Sequence, residues 1–254
     1  MDEQNLLGRK VFILYPHSVI QEDLIYTLIN NEYEVYLLKD HKRALKLLEQ
    51  FNDSIIFINI DERLDEAQWE EYIRGILRNP GLKEVRIGIV SYNNDVELKQ
   101  KYLMEIGVPC GFIQLKLGIA QSTKIILAAL EANEAKGRRK YVRVPCEKDE
   151  GAQFNVRISE AVISGKIIDI SSIGMAVQFE TDPGLKKNSL LPGTQLRLKS
   201  TLVNLTGVVI GFREGRRKTY VILFTPKTPA AEKEKIRRYI IGSLQNFIDN
   251  IKVS

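Results

Sequence analysis

Residues 137–145 read GRRKYVRVP, and the hydrophobic pattern of the chain differs on the two sides of them. Upstream, from Lys10, short apolar runs alternate with amphipathic stretches: VFILY is followed by IQEDLIYTLIN, then YEVYLL near Tyr33, SIIFINI from Ser54, VRIGIV from Val85 and GFIQL from Gly111. Further helices are expected near 41–51, 65–78, 94–106 and 119–135, which makes a βα repeat. Strands this apolar are buried on both faces, so the first half is expected to be a parallel sheet with helices on both faces. Downstream of Pro145 the period drops to two. AVISGKIIDI, GMAVQFE, TQLRLKS, NLTGVVIGFR and KTYVILF are separated by turn signals such as DPG and LPG, and Gln195, Leu196, Arg197, Leu198, Lys199 alternate as a strand with one wet face does. Five or six antiparallel strands about ten residues apart predict a closed or nearly closed barrel. A terminal helix follows, AAEKEKIRRYIIGSLQNFIDNI, with Ile236, Tyr239, Ile240, Leu244 and Phe247 on one stripe that seals a barrel end or meets a partner.

The fold class read from this pattern is α/β followed by β, in 254 residues of which 44% are hydrophobic. The expected domains are 1–136, a basic linker 137–145, and 146–254. Charge divides at the same place: residues 137–254 hold 21 Lys and Arg against 11 Asp and Glu, and the residues before them 16 against 21. A basic second half points to an anionic partner, which nucleic acid, a nucleotide or a membrane surface each satisfies. No apolar run approaches the roughly 18 residues that span a bilayer, and MDEQNLLGRK is acidic and polar where a signal peptide is basic and then apolar. The expectation is a cytoplasmic protein without membrane insertion. Cys110 and Cys146 lie far apart without CxxC partners, so buried thiols are expected in place of a disulfide framework or zinc site. His17 and His41, the only histidines, lack acidic or thiol neighbours at metal-ligand spacing, so no metal is expected.

In GRRKYVRVP the helix TKIILAALEANEAK is expected to end at Gly137, and the proline favours extended backbone before it. Arg139 and Arg143 are separated by an even number of residues, so in an extended segment they point to the same side. A guanidinium's planar fork grips a phosphate or the O6/N7 edge of guanine with two parallel hydrogen bonds. Taken alone, a basic linker is equally read as solvated charge.

Between the first two strong strands of the second half lies Asp169, Ile170, Ser171, Ser172, Ile173, Gly174. By itself this is a turn in which Asp and Ser bond the local backbone. Together, RKYVR (139–143) and DISSIG (169–174), followed by LPGTQLRL, GVVIGF and a closing strand ending in Phe224, resemble the PilZ domain with its RxxxR and D/NxSxxG motifs. The resemblance covers 138 to about 225 and implies a six-stranded antiparallel PilZ-type barrel that binds cyclic di-GMP in a bacterial signalling or motility pathway. It implies that Arg139 and Arg143 take the phosphodiesters and the guanine O6/N7 edge. Asp169 would accept from guanine N1–H and N2–H, Ser171 would add a hydroxyl, and Gly174 would let the backbone approach the ligand. Arg138, just before the motif, goes in similar domains with binding two stacked ligands. Val221 and Ile222 depart from the family where a small glycine often precedes the final apolar pair.

The first half resembles response-regulator receiver domains in strand count, helix count and length. Receivers hold magnesium with an acidic pair after the first strand, where this chain has Tyr15, Pro16 and His17. At the phosphoacceptor position stands Asn59, with Asp61 two residues on. Lys116 lies near the receiver lysine, where a solvated strand-end lysine is equally at home. The expectation is a degenerate, non-phosphorylated receiver-like domain. Trp69 and Tyr72, three apart on a helix, are expected to pack on the sheet.

No Gly-rich phosphate loop, GxSxG or HExxH occurs, so no catalytic residue and no cofactor are expected. The expected function is a non-enzymatic cyclic di-GMP receptor whose ligand changes the interdomain arrangement and the binding of a protein target. Two alternatives stay open: a phosphorylated regulator with a barrel output, and a sequence-tolerant nucleic-acid binder. The second is weakened because Tyr141 is the only aromatic residue among the basic ones at 138–143.

Overall fold

The computed structural model describes residues 8–213, 215 and 217–253. Residues 1–7, most of the segment read against a signal peptide, lie outside them. The chain divides into two compact units, Met1–Lys140 with Gln245–Ser254, and Tyr141–Leu244.

In the first unit, β1 (Lys10–Leu14), β2 (Val35–Leu38), β3 (Ser54–Asn59), β4 (Arg86–Ser91) and β5 (Phe112–Gln114) form a parallel sheet in the order β2-β1-β3-β4-β5. The helices are α1 (Ser18–Asn30), α2 (His41–Gln50), α3 (Glu66–Arg78), α4 (Val96–Gln100) and α5 (Ile119–Ala132). The chain goes from β1 to one edge and then crosses to the other side. Right-handed crossovers therefore put α2, α3 and α4 on the face opposite α1 and α5, and α1 and α5 touch. Every residue of β3 is buried, as a two-sided cover requires. Trp69 is fully buried in α3, its ring edge-on to Tyr72 at 5.6 Å between centroids, and its indole N–H donates to the Glu62 carbonyl.

Two boundaries differ from the sequence reading. Helix α5 stops at Ala132, short of Gly137. Asn133 turns its amide side chain back to the Ala129 carbonyl, and Glu134 (φ 51°), not the glycine, is the left-handed residue that ends the helix. The second difference is in the terminal helix α6 (Ala230–Asp249), expected whole in the domain 146–254. Its residues from Gln245 group with the first unit, where the Gln245 amide exchanges hydrogen bonds with the backbone of Leu37. Phe247, part of the apolar stripe expected to seal a barrel end or meet a partner, is half-exposed and lies against Tyr36 and Phe51.

The second unit is a barrel. Its strands are β6 (Arg143–Pro145), β7 (Ala152–Ile158), β8 (Ala161–Ser171), β9 (Gly174–Phe179), β10 (Leu190–Leu198), β11 (Thr201–Arg213) and β12 (Thr219–Phe224). The order β8-β7-β10-β11-β12-β9 returns to β8 through a β8–β9 pairing, closing six antiparallel strands, with β6 added on β8. Thr194, Leu196 and Leu198 are buried while Gln195 and Arg197 are exposed, the wet-face alternation expected of β10. Gly165 and Gly207 face strand neighbours where a Cβ would come within 2.3 Å of the Gln178 carbonyl and 2.5 Å of Ile222 Cγ2. Ile236, Tyr239, Ile240 and Leu244 of α6 are buried. The Tyr239 hydroxyl donates to Asp149 at 2.8 Å, and the Glu232 carboxylate accepts from the Asn204 amide at 2.7 Å. These contacts hold the helix at the end of the barrel formed by the β6–β7 loop and the β10–β11 turn.

Among the described residues no helix is long and apolar enough to cross a membrane. Cys110 and Cys146 are free and buried, and burial pushes each thiol up to about 11. At pH 8 only about one thiol in a thousand would then be the reactive thiolate. Both cysteines are expected to resist a thiol-reactive dye in the native protein and to label within minutes in denaturant. Fast native labelling of either would show that its burial is not maintained.

Candidate functional site

The outer face of the barrel around β8 is built by one irregularity. Ile167 pairs with Val177 of β9, but Asp169, not Ile168, pairs with Ala176, so Ile168 is an extra residue in the strand. Without it, strict alternation would carry Gly165, Ile167 and Asp169 all toward the interior. The bulge resets the phase: Ile167 and Ile170 face the core, both fully buried, and Asp169 is turned outward with 21% of its side chain exposed. Re-aiming one side chain in this way is a frequent use of a bulge. The carbonyl of Ile168 accepts from the Cys146 amide at 2.7 Å.

Strand β6 lies on this part of β8, with Arg143 opposite Ser171 and Pro145 opposite Asp169. Arg143 and Asp169 are therefore diagonal neighbours on one face, within reach of long side chains. Arg143 Nη1 stands 3.7 Å from Asp169 Oδ1. The extended backbone expected through 139–145 is limited to Arg143–Pro145; residues 138, 140 and 141 are bends. Arg138 and Arg139 are exposed and group with the first unit.

Ser171 and Gly174 are both buried. The Ser171 hydroxyl donates to the Gly174 carbonyl at 3.1 Å and accepts from the Ile173 amide at 3.4 Å, so it ties the turn between β8 and β9. A Cβ on Gly174 would fall 2.5 Å from the Ile222 carbonyl oxygen. The missing side chain thus makes room for β12, whose Leu223 pairs with Gly174. These two residues seat the β8–β9 turn that follows Asp169.

A residue that sequence reasoning passed over completes the cluster. Arg213, the last residue of β11, places Nη1 3.2 Å from Asp169 Oδ2 in a hydrogen bond. One carboxylate thus lies between two guanidinium groups. Arg213 follows no motif and stands 44 positions from Asp169; only closure of the barrel through β12 and β9 brings it near.

In the first unit, Asn59 is buried and its amide donates to the Tyr15 carbonyl at 2.9 Å, joining β1 to β3. Both Asp61 oxygens are occupied: the Ser91 hydroxyl donates to one at 2.5 Å and the Tyr92 amide to the other at 2.6 Å. Lys116 donates to Asn94. His41 meets the Tyr15 hydroxyl at 3.0 Å, and the His17 ring lies edge-on to Tyr92. Among the described residues no group of three or more His, Cys, Asp and Glu side chains is placed to hold a metal ion.

The family model of the PilZ domain matches residues 137–242. Among solved structures the chain is similar to the PilZ domain with c-di-GMP of YcgR from Escherichia coli, at 15% identity and TM-score 0.39, over 45% of this chain and 99% of that one. It is similar to the K. pneumonia MrkH–c-di-GMP complex at 18% identity and TM-score 0.36, over 41% of this chain and 51% of that one. The Bacillus subtilis inhibitor of motility (MotI/DgrA) is matched at 17% identity and TM-score 0.37, over 45% and 53% of the two chains. The chain spans about half the length of these last two proteins. No curated protein matches it. Residues 137–242, which include the closed six-stranded barrel, form a PilZ domain.

Proposed function

We propose that the protein is a non-enzymatic, cytoplasmic receptor for cyclic di-GMP. The observation that carries this reading is the Arg143–Asp169 pair on the outer face of a PilZ barrel, one residue from each family motif. Arg139 and Arg143 grip the phosphodiesters and the guanine O6/N7 edge by charge-assisted, two-pronged hydrogen bonds. Asp169 accepts from guanine N1–H and N2–H, a donor pair that adenine does not offer. Ser171 and Gly174 hold the loop beneath it, the hydroxyl lying next to the bound base. Arg138 supplies a third guanidinium for a second, stacked ligand molecule.

The domains follow as 1–136, a degenerate receiver-like module; 137–145, the ligand-binding segment; and 146–254, the barrel with its helix, whose residues from Gln245 group with the first unit. Ligand orders residues 137–145, changes the interdomain arrangement and so exposes or covers the surface met by a protein target. Loss of the acidic pair in the receiver-like module, with Asp61 already bound on both oxygens, favours a module that is not phosphorylated.

Isothermal titration with cyclic di-GMP, cyclic di-AMP and GTP tests this. The expected result is saturable heat with cyclic di-GMP alone, ending at two ligands per protein. Asp169→Asn replaces one acceptor oxygen by a donor and is expected to weaken binding by about tenfold or more. Equal affinity for cyclic di-AMP, or no heat with any ligand, would sink the reading; saturation at one ligand would remove Arg138 from it.

A further inference from the structure

We infer that Arg213 is a fourth arginine of the ligand site, beside Arg138, Arg139 and Arg143, contacting an anionic phosphodiester of the cyclic dinucleotide while it holds the second oxygen of Asp169. This rests on the cyclic di-GMP reading of the site and deepens it.

Geometry comes first. Asp169, Ala176 of β9, Val221 of β12 and Gly211 of β11 form one row of paired residues across the barrel face. Beyond Asp169 the row holds only Ala176, Val221 and Gly211, none of them a long side chain, and a Cβ on Gly211 would meet nothing within 4 Å. Arg213, two residues beyond Gly211, reaches Asp169 across β12 and β9. Ala176 lies on the outer face yet is 1% exposed, as expected of a residue covered by a side chain lying over it. A ligand presenting its guanine edge to Asp169 would occupy this same floor, so it must meet Arg213.

Charge comes second. Among the described residues Asp169 is the only carboxylate in ion-pair range of either Arg143 or Arg213. Two guanidinium groups on one carboxylate leave a local charge of about +1 on the open face, which suits an anion. Capacity is free on both sides of the bond. A carboxylate has about four lone-pair sites and a guanidinium five N–H donors, so Asp169 can keep Arg213 while accepting from guanine. Half of the Arg213 side chain is exposed. An ion pair that open contributes little to folding, so the fold alone gives no strong reason for it.

The test compares wild type with Arg213→Ala, Arg213→Lys and Arg217→Ala, the last an exposed arginine of the same hairpin. Cyclic di-GMP affinity is measured at two salt concentrations, alongside the thermal unfolding of each unliganded protein. Arg213→Ala is expected to bind about tenfold or more weakly with a shallower salt dependence. Arg213→Lys should recover the salt dependence but only part of the affinity, because an ammonium lacks the planar fork, and Arg217→Ala should bind as wild type does. Wild-type or tighter binding by Arg213→Ala would overturn the inference, making Arg213 a bystander or a competitor for Asp169. It would also be overturned if the weaker binding came with an equal fall in unliganded stability and lysine restored both. Failure of wild type itself to bind cyclic di-GMP would overturn the receptor reading together with this one, and is visible before any variant is made.

Discussion

Replacing Arg139 and Arg143 together by alanine is expected to lower cyclic di-GMP affinity by at least about a hundredfold, enough to remove measurable heat at micromolar protein. Hydrogen bonds to charged groups contribute about 1.5–3 kcal/mol each, and about 1.4 kcal/mol is a factor of ten in affinity. Loss of one such contact per arginine therefore accounts for two to four powers of ten. Stability should hardly change. Both side chains are exposed, and the 3.7 Å pair between Arg143 and Asp169 is of the surface kind worth at most about 1 kcal/mol. The two consequences separate a ligand role from a folding role: binding disappears while the far-UV circular dichroism stays as in wild type and the unfolding midpoint falls by at most a few degrees. Single variants refine the result. Arg143→Ala leaves Asp169 with Arg213 alone, whereas Arg139→Ala leaves the carboxylate cluster intact, so the two losses are not expected to add simply. Wild-type affinity in the double variant would mean that the barrel recognises its ligand through other residues, or none.

The period-two alternation of β10 and the unbroken apolar run of β3 were legible because burial is a local property of a strand's two faces. RKYVR and DISSIG can be picked out of the sequence because each is short and contiguous. What escaped depends on pairing across the sheet. The Ile-Ile-Asp-Ile run at 167–170 reads as continuous strand, and only the register of β8 against β9 shows that Ile168 is extra and that Asp169 consequently faces outward. Arg213 was indistinguishable from the other basic residues of GFREGRRK, because its partner is chosen by barrel closure. The division of α6 escaped for a related reason. One apolar stripe runs its length, and nothing in the stripe says that Leu244 and Phe247 group with different units. Glycine was half legible: the motif marks Gly174 as special, but its neighbour turns out to be β12.

That neighbour makes Gly174→Ala a substitution expected to damage the barrel. The new Cβ would sit 2.5 Å from the Ile222 carbonyl oxygen, 3.1 Å from Leu223 Cδ2 and 3.3 Å from Leu223 Cα. The nearest of these is backbone of the strand that pairs with Gly174, so no side-chain rotation relieves the clash. Relief requires β9 and β12 to part where they close the barrel, and overpacking of this kind costs about 1–3 kcal/mol. For a unit of about 100 residues each kcal/mol lowers the midpoint by roughly 4–8 °C. The loop should suffer as well, because the Ser171 hydroxyl is bonded to the Gly174 carbonyl and Asp169 stands two residues before that serine. Binding is therefore expected to weaken with stability, unlike in the arginine variants. The two units can be followed separately: the single tryptophan, Trp69, belongs to the first unit, so its fluorescence melt should stay in place while the β-rich circular dichroism signal moves down. Gly242→Ala is the matched control. A Cβ there meets nothing within 4 Å, and alanine in the helix interior should raise stability by about 0.5–1 kcal/mol. If Gly174→Ala melts with wild type, β9 and β12 are not packed as closely as their pairing requires, and the glycine of the motif must be explained by the ligand alone.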